Sequence, residues 1–200
     1  LARLRGLGIE PLPKINFSAA HDTWLGAYGR QVSTDAYYRV CADLIAEAID
    51  LFDTPRLFHL GYDEEDLENQ RDYEFAVIRQ HDLWWRDFLF FVEQVERAGV
   101  RPWIWSDYLW DHRDEFAARM PRSVVQSNWY YDPNFDLAVD DANYERSRRT
   151  HGKDPVRDER TRTTPLRAYL ELERLGFDQI PAGSTTHTYG QPIDNFEGTA

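Results

Sequence analysis

The sequence predicts an α/β fold, and within that class a partial (β/α)8 TIM-type barrel that supplies roughly strands 3 to 7 or 8. Short apolar stretches alternate along the chain with stretches of helical periodicity, which is typical of parallel βαβ units. No glycine-rich phosphate fingerprint follows a predicted strand, which disfavours the competing doubly wound nucleotide-binding sheet. Polar and aromatic residues gather instead after several strands, at the edge where a barrel carries its site.

The individual elements follow from apolar spacing and from residues that start or stop helices. N-cap candidates at 33–35 begin the first long helix, and Gly99 ends the second. Pro165 and Gly176 bracket the last helix, at its first turn and just past its end. The predicted strands are 9–17, 56–62, 101–107, 123–130 and 177–182, and the predicted helices are 35–52, 75–98, 112–119 and 165–175.

The 200 residues suit one domain, and we predict a single barrel fragment over 1–200. A charged segment at about 132–164 lacks clear periodicity and is too long for an ordinary βα connection. We predict that it is an insertion, which could be a lid, a partly disordered segment or a solvated surface loop. The chain begins at Leu1 without a Met, so we expect it to be part of a longer protein of unknown localisation. The sequence indicates no oligomeric state.

Composition excludes several classes of function. Lys and Arg number 23 against 35 Asp and Glu, and a net charge of −12 repels nucleic-acid backbones. The single cysteine, Cys41, excludes an internal disulfide and a cysteine-rich zinc site. No apolar stretch approaches the roughly 20 residues of a membrane span. The 7 Trp, 11 Tyr and 11 Phe favour a large core or a carbohydrate site, which uses flat aromatic faces.

The most informative motif is the stretch 58–65, FHLGYDEE, where an apolar strand runs into glycine and then into three carboxylates. In a regular strand Asp63 and Glu64 would point to opposite faces, but a bend at the strand end can turn both to one side. Two nearby carboxylates raise each other's proton affinity, as a general acid at a glycosidic oxygen requires. The alternative is that Asp63 to Glu65 cap a following helix.

Further clusters follow the other predicted strands. Trp105 and Asp107 fall on one side of their strand, where they could stack on a sugar ring and bind its hydroxyls. Core packing is the alternative for the tryptophan, whereas the carboxylate needs water or a partner. Of the adjacent aromatics 129–131, at least one should face solvent or a ligand. Residues 16–22 offer polar candidates or turn formers, and 187–189 form the weakest cluster.

The order of these motifs resembles that of glycoside hydrolase family 20, the β-N-acetylhexosaminidases. The stretch 59–64, HLGYDE, is similar to the family's His-x-Gly-Gly-Asp-Glu signature after its fourth barrel strand. Residues 6–16 resemble the segment that leads into and through the third strand, with His21 near the histidine that follows. The strand ends at 105–107 and 124–129 resemble those of strands five and six. The resemblance covers about the first two thirds of the chain.

The resemblance implies a hydrolase for terminal sugars, in which the acetamido oxygen of an N-acetylhexosamine attacks its own anomeric carbon. Asp63 would orient and polarise the acetamido group, while Glu64 would protonate the leaving oxygen and later deprotonate water. Two histidines would hydrogen-bond the carboxylates, and two tryptophans would wall the sugar pocket. No metal and no cofactor is implied. The implied substrate-binding residues are His21, His59, Trp105, Asp107, Trp129 and Tyr130.

Several positions depart from the family's pattern. Tyr62 replaces the second glycine of the signature, which crowds the backbone beside the acid, and Lys14 and Asn16 replace two acids. The register of His21 is shifted by about one residue. The family's first two strands have no counterpart, and Tyr189 is only a candidate for its acetamide-binding tyrosine. These departures predict a divergent relative.

Three other functions stay open. A two-carboxylate glycosidase on a different sugar would use Glu64 as acid and Asp107 as nucleophile or base. Carboxyl separations of about 5–5.5 Å predict retention, and about 6.5–9.5 Å inversion. A non-catalytic carbohydrate-binding domain would turn Glu64 into solvent or lock it as a helix cap. A metal hydrolase would use His21, His59 and Asp63, although the chain lacks paired ligand spacing such as His-x-His.

Overall fold

The computed structural model describes residues 1–67, 69–131, 134–151 and 163–183, and the chain divides into two compact units. The units are Leu1–Ile104 and Trp105–Ala200, which leaves the single domain over 1–200 a prediction. The first unit contains α1 (Ala2–Gly6), a 3-10 helix (Thr23–Gln31), α2 (Asp35–Leu51), β1 (Leu57–His59), α3 (Asp82–Arg97) and β2 (Arg101–Trp105). The last residue of β2, Trp105, is counted in the second unit. The second contains α4 (Tyr108–Asp111), α5 (Arg113–Arg119), β3 (Val125–Ser127), α6 (Leu137–His151) and α7 (Pro165–Leu175).

In the first unit β1 and β2 pair in parallel, and the described residues of the second unit contain one further strand, β3. Leu57 lies opposite Arg101 in the register of β1 and β2, and His59 lies opposite Trp103. The amide of Leu60, just past β1, donates to the Trp103 carbonyl at 2.8 Å. The sheet therefore fixes where the chain leaves β1 and enters the carboxylate stretch.

The prediction of a partial (β/α)8 barrel is wrong, because the described residues contain only three strands and eight helices. The predicted strands 9–17 and 177–182 make only isolated parallel bridges, Lys14 with His59 and Gln179 with Gln126 among them. Proline is one physical reason, because it has no N–H to donate to a ladder. Pro13 precedes the bridging lysine, and a second proline, at 181, interrupts the later stretch.

Three of the predicted helices are confirmed almost to their boundaries, and the one at 112–119 is α5, Arg113–Arg119. α2 begins after Thr34, whose side chain accepts a hydrogen bond from the Tyr37 amide, and it ends one residue before the predicted position. α7 begins at Pro165 and ends before Gly176, which adopts the left-handed conformation at φ +75. The apolar spacing of α2 corresponds to its buried face, formed by Tyr37, Cys41, Ile45 and Ile49.

α3 begins at Asp82, seven residues later than the sequence predicts. The preceding segment forms tertiary hydrogen bonds instead of helical ones. The amide of Val77 donates to Gln70 Oε1, and the amide of Arg79 donates to Glu65 Oε1, both at 2.8 Å. His81 then has a φ of +51, which no α-helix contains.

The core of the first unit is strongly aromatic. Phe17 stacks on Phe91 with ring centroids 4.6 Å apart, and Trp85 and Phe88 of α3 are fully buried. Each such side chain stabilises the unit by about 1.5–3 kcal/mol on burial. Much of the aromatic content of this unit therefore serves packing.

The predicted insertion at 132–164 contains α6, while its residues 132–133 and 152–162 lie outside the described residues. The weak cluster 187–189, with Tyr189, lies outside them as well. None of the described helices is long and apolar enough to cross a membrane.

Candidate functional site

The candidate site lies where the chain leaves β1, and its backbone is strained there. Gly61, Tyr62 and Glu64 have φ angles of +73, +74 and +55. This region costs a residue other than glycine roughly 1–2 kcal/mol. Such strain persists only where the surrounding structure imposes it, and it clusters at functional sites. The path brings Asp63 and Glu64 to one partner instead of to opposite faces of a strand.

That partner is His21, which precedes the 3-10 helix. Its Nε2 lies 3.5 Å from Asp63 Oδ2 and 3.4 Å from Glu64 Oε2. The contact with Glu64 is the largest influence on the pKa of His21 and raises it, with a smaller contribution from the charge of Asp63. The structure thus brings together three of the predicted site residues.

Asn16 holds the carboxylate loop in place. Its Nδ2 donates to Asp63 Oδ1 at 2.7 Å, and its Oδ1 accepts from the amides of Ser18 and Tyr62, both at 3.1 Å. A Cβ on Gly61 would lie 2.0 Å from that Oδ1, so only glycine allows this close approach. The sequence placed Asn16 among the polar candidates of 16–22 and in the position of an acid, but its contacts with Asp63 and Tyr62 join positions more than 40 residues apart and could not be predicted.

Glu65, the third carboxylate of the stretch, belongs to a different network. It accepts hydrogen bonds from the Ala19 amide and from the amide and Nε of Arg79, each at 2.8 Å, and it also pairs with Nη2 of that arginine. No helix begins between β1 and α3 in the described residues, so these carboxylates cap no helix. The ion pair of Glu65 and Arg79 could not be predicted from the sequence, since no local periodicity joins positions 14 residues apart.

Arg79 extends this buried network to α3. Its side chain is fully buried, and its Nη1 lies 3.1 Å from the Tyr62 hydroxyl and 3.3 Å from Asp87 Oδ2. Its guanidinium also lies over the Tyr62 ring, 4.8 Å from the centroid. Burial raises the pKa of Tyr62 well above its usual value. Asp87 was detectable from sequence, because it stands on the apolar face of α3 three residues after Trp84 and one before Phe88.

His59 is buried directly behind the loop. Its Nδ1 accepts a hydrogen bond from the Gly61 amide at 2.9 Å, and its ring packs against Trp103 with centroids 4.4 Å apart. Burial, with a contribution from the charge of Lys14, lowers the pKa of His59 to about 3. A neutral imidazole therefore supports the backbone at Gly61, and the predicted hydrogen bond to a carboxylate does not use Nδ1.

The second unit contains the other four predicted site residues, Trp105, Asp107, Trp129 and Tyr130. Trp129 lies edge-on to Trp110 at 4.4 Å and stacks on Tyr131 at 5.3 Å, between ring centroids. Tyr130 is buried, and its hydroxyl donates to the Asn134 carbonyl at 2.7 Å. Their participation in one pocket with the carboxylates stays a prediction, as does the separation of the carboxyl groups in the two-carboxylate alternative.

A cavity of about 510 Å³ opens in the first unit, within the size range of ligand pockets. Its walls come from the 3-10 helix and from the loop around Tyr73 and Phe75, and Ala19 and Asp22 contribute from the segment around His21. Burial raises the pKa of Asp22 to about 6. A cavity with aromatic rings and the carboxyl groups of Asp22 and Glu74 suits a ligand with both an apolar face and hydrogen-bond donors.

His21, Asp63 and Glu64 could also hold a metal ion, because one ligand atom from each lies within 4.8 Å of the others. This group differs from the triad predicted for a metal hydrolase, since Glu64 stands in place of His59. Neither a scan against models of protein families nor a search of curated protein sequences finds a match to this chain. The chemistry of the site is therefore inferred from its own residues.

Proposed function

We propose that this protein is a glycoside hydrolase that releases terminal sugars, N-acetylhexosamine first among them, by substrate-assisted retaining hydrolysis. One observation carries the proposal: Asp63 and Glu64, adjacent in sequence, both face Nε2 of His21 across 3.4–3.5 Å. A strained backbone produces this arrangement, and strain of this kind clusters at functional sites. The resemblance of residues 59–64 to the family 20 signature is the reason for proposing this reaction and this sugar.

The two carboxylates have different surroundings, which suits them to different roles. The Glu64 side chain is 36% exposed and can reach a leaving group, so it acts as general acid at the glycosidic oxygen. The substrate's acetamido oxygen displaces that group, and Glu64 then takes a proton from the incoming water. Asp63 is 18% exposed and is fixed by Asn16, so it orients the acetamido group and stabilises the charge that develops on it.

The first experiment uses the full chain with nitrophenyl β-N-acetylglucosaminide and nitrophenyl β-glucoside, comparing wild type with Glu64→Gln and Asp63→Asn. We expect Glu64→Gln to lower kcat/KM on the N-acetyl substrate by about 10²–10⁴-fold, the usual contribution of general acid–base catalysis. The loss should be smaller with a dinitrophenyl leaving group, which needs less protonation. Glu93→Gln is the matched control, because that side chain is 54% exposed and pairs with Arg97 one turn later on α3.

The roles of the two carboxylates predict different outcomes. Asp63→Asn should impair cleavage of the N-acetyl substrate and spare any cleavage of the glucoside. Equal losses on both substrates would overturn the acetamide role and favour the two-carboxylate alternative. Sugar binding by calorimetry without cleavage of either substrate would overturn hydrolysis and favour a binding domain.

A further inference from the structure

We propose that His21, Asp63 and Glu64 form a binding site for Zn²⁺ that leaves at least one coordination position open. The three residues supply one nitrogen and two oxygen ligands, a donor set that zinc accepts. Their side chains are 35%, 18% and 36% exposed, so an ion can enter from solvent. This inference goes beyond the proposed hydrolysis, which needs no metal.

The two distances from the histidine nitrogen to the carboxylate oxygens fit tetrahedral zinc. Two ligand atoms about 2.1 Å from a tetrahedral ion lie about 3.4 Å apart, whereas octahedral neighbours at that bond length lie about 3.0 Å apart. His21 Nε2 is 3.5 Å from Asp63 Oδ2 and 3.4 Å from Glu64 Oε2. These contacts are longer than the usual 2.7–3.2 Å of an N–H···O hydrogen bond. Nε2 is itself buried, and among the described residues it faces these two carboxylates without a hydrogen bond of ordinary geometry.

Asp63 is held as metal-binding carboxylates usually are. Asn16 Nδ2 donates to Asp63 Oδ1, which fixes the side chain with Oδ2 toward the histidine. Outer hydrogen bonds of this kind orient ligands and contribute to metal affinity. Glu65 pairs with Arg79 in the buried network, so it does not compete for the ion.

Charge also favours a divalent cation at this position. Two carboxylate oxygens converge on one imidazole nitrogen, and the three ligand atoms lie within 4.8 Å of one another. The positive charge of Lys14 also acts on His21, and its influence is smaller than that of either acid. A nitrogen ligand favours Zn²⁺ over Mg²⁺ and Ca²⁺, which prefer six or more oxygens.

Zinc binding has a consequence for activity, and that consequence alone rests on the proposed function. An ion coordinated by Glu64 would prevent this group from donating its proton to a glycosidic oxygen. Zn²⁺ should therefore inhibit the proposed hydrolysis competitively with substrate, and a chelator should restore it.

Zinc binding is tested without any activity assay, by titrating the full chain with ZnCl₂ against a metallochromic dye at constant pH. His21→Ala should weaken Zn²⁺ binding by at least about 100-fold, and Asn16→Ala by about 10–100-fold, the usual effect of losing an outer hydrogen bond. His81→Asn is the matched control, since His81 is exposed and asparagine tolerates its φ of +51. Co²⁺ in place of Zn²⁺ should give the strong visible absorption of a tetrahedral site.

The possible outcomes separate this proposal from the glycosidase proposal. Zinc binding lost in His21→Ala but kept in His81→Asn supports the site even if no glycoside is cleaved. No binding to wild type, or equal weakening in both variants, overturns the zinc site and leaves the glycosidase proposal untouched. Circular dichroism of His21→Ala confirms that a loss of binding does not come from unfolding. A weak, octahedral Co²⁺ spectrum would overturn the tetrahedral assignment.

Discussion

Replacing Arg79 with methionine should strongly destabilise the first unit. The guanidinium pairs with Glu65 and Asp87, whose side chains are 5% and 0% exposed, and it donates to the Phe17 carbonyl at 2.8 Å. Without the cation two carboxylates remain buried after losing the guanidinium that pairs with both of them. Loss of one partner from a buried ion pair costs about 3–5 kcal/mol. With a urea m-value of about 1.5–2 kcal/mol/M, the midpoint of unfolding falls by about 1.5–3 M.

Arg86→Met is the matched control for this experiment, because Arg86 also approaches Asp87, with Nε 3.7 Å from Oδ1, but is 61% exposed. A surface pair of this kind contributes at most about 1 kcal/mol. Urea unfolding of both variants, followed by tryptophan fluorescence, measures the difference. Adding Glu65→Gln should restore part of the stability lost in Arg79→Met, since it removes one of the stranded charges. Equal losses in Arg79→Met and Arg86→Met would refute the importance of burial.

Two further predictions concern stability. Gly61→Ala should lower the free energy of unfolding by more than Gly99→Ala: both have φ near +75, an intrinsic cost of about 1–2 kcal/mol, but only at Gly61 would the Cβ meet Asn16. Equal losses of stability in the two variants, measured by urea unfolding, would show that Asn16 moves away from the added Cβ without an energetic cost. Two arginines hold the pKa of Glu171 at about 2, first by hydrogen bonds and then by charge. Because this pKa is below its ordinary value of 4.5, the carboxylate stabilises the fold above pH 4.5, and its contribution disappears as the pH falls toward 2. We expect the free energy of unfolding of wild type to exceed that of Glu171→Gln by about 1–2 kcal/mol at pH 7, allowing for screening of the exposed arginines. Urea unfolding at several pH values should show the two free energies converge near pH 2. A difference that stays constant from pH 7 to 2 would contradict this prediction.

Much of the local structure follows from sequence because it depends on neighbours along the chain. The apolar spacing and the Thr34 cap determine α2, and Pro165 and Gly176 determine the limits of α7. The stretch 58–65 likewise indicated that carboxylates follow a buried strand. Asp87 on the apolar face of α3 is a signal of a buried charge that the sequence analysis did not use.

The sequence by itself determined α2, α7 and where carboxylates leave a strand, because these features depend on residues a few positions apart. Only the tertiary structure decided that 9–17 and 177–182 make isolated bridges, where a strand pattern had predicted barrel strands. It also decided that Glu65 joins Arg79 while Asp63 and Glu64 join His21. Those contacts connect positions 14 to more than 40 residues apart, and they depend on positive φ angles that a strand pattern does not encode. The physical reason is that periodicity reports which face of an element is buried, whereas pairing depends on the path of the chain between elements.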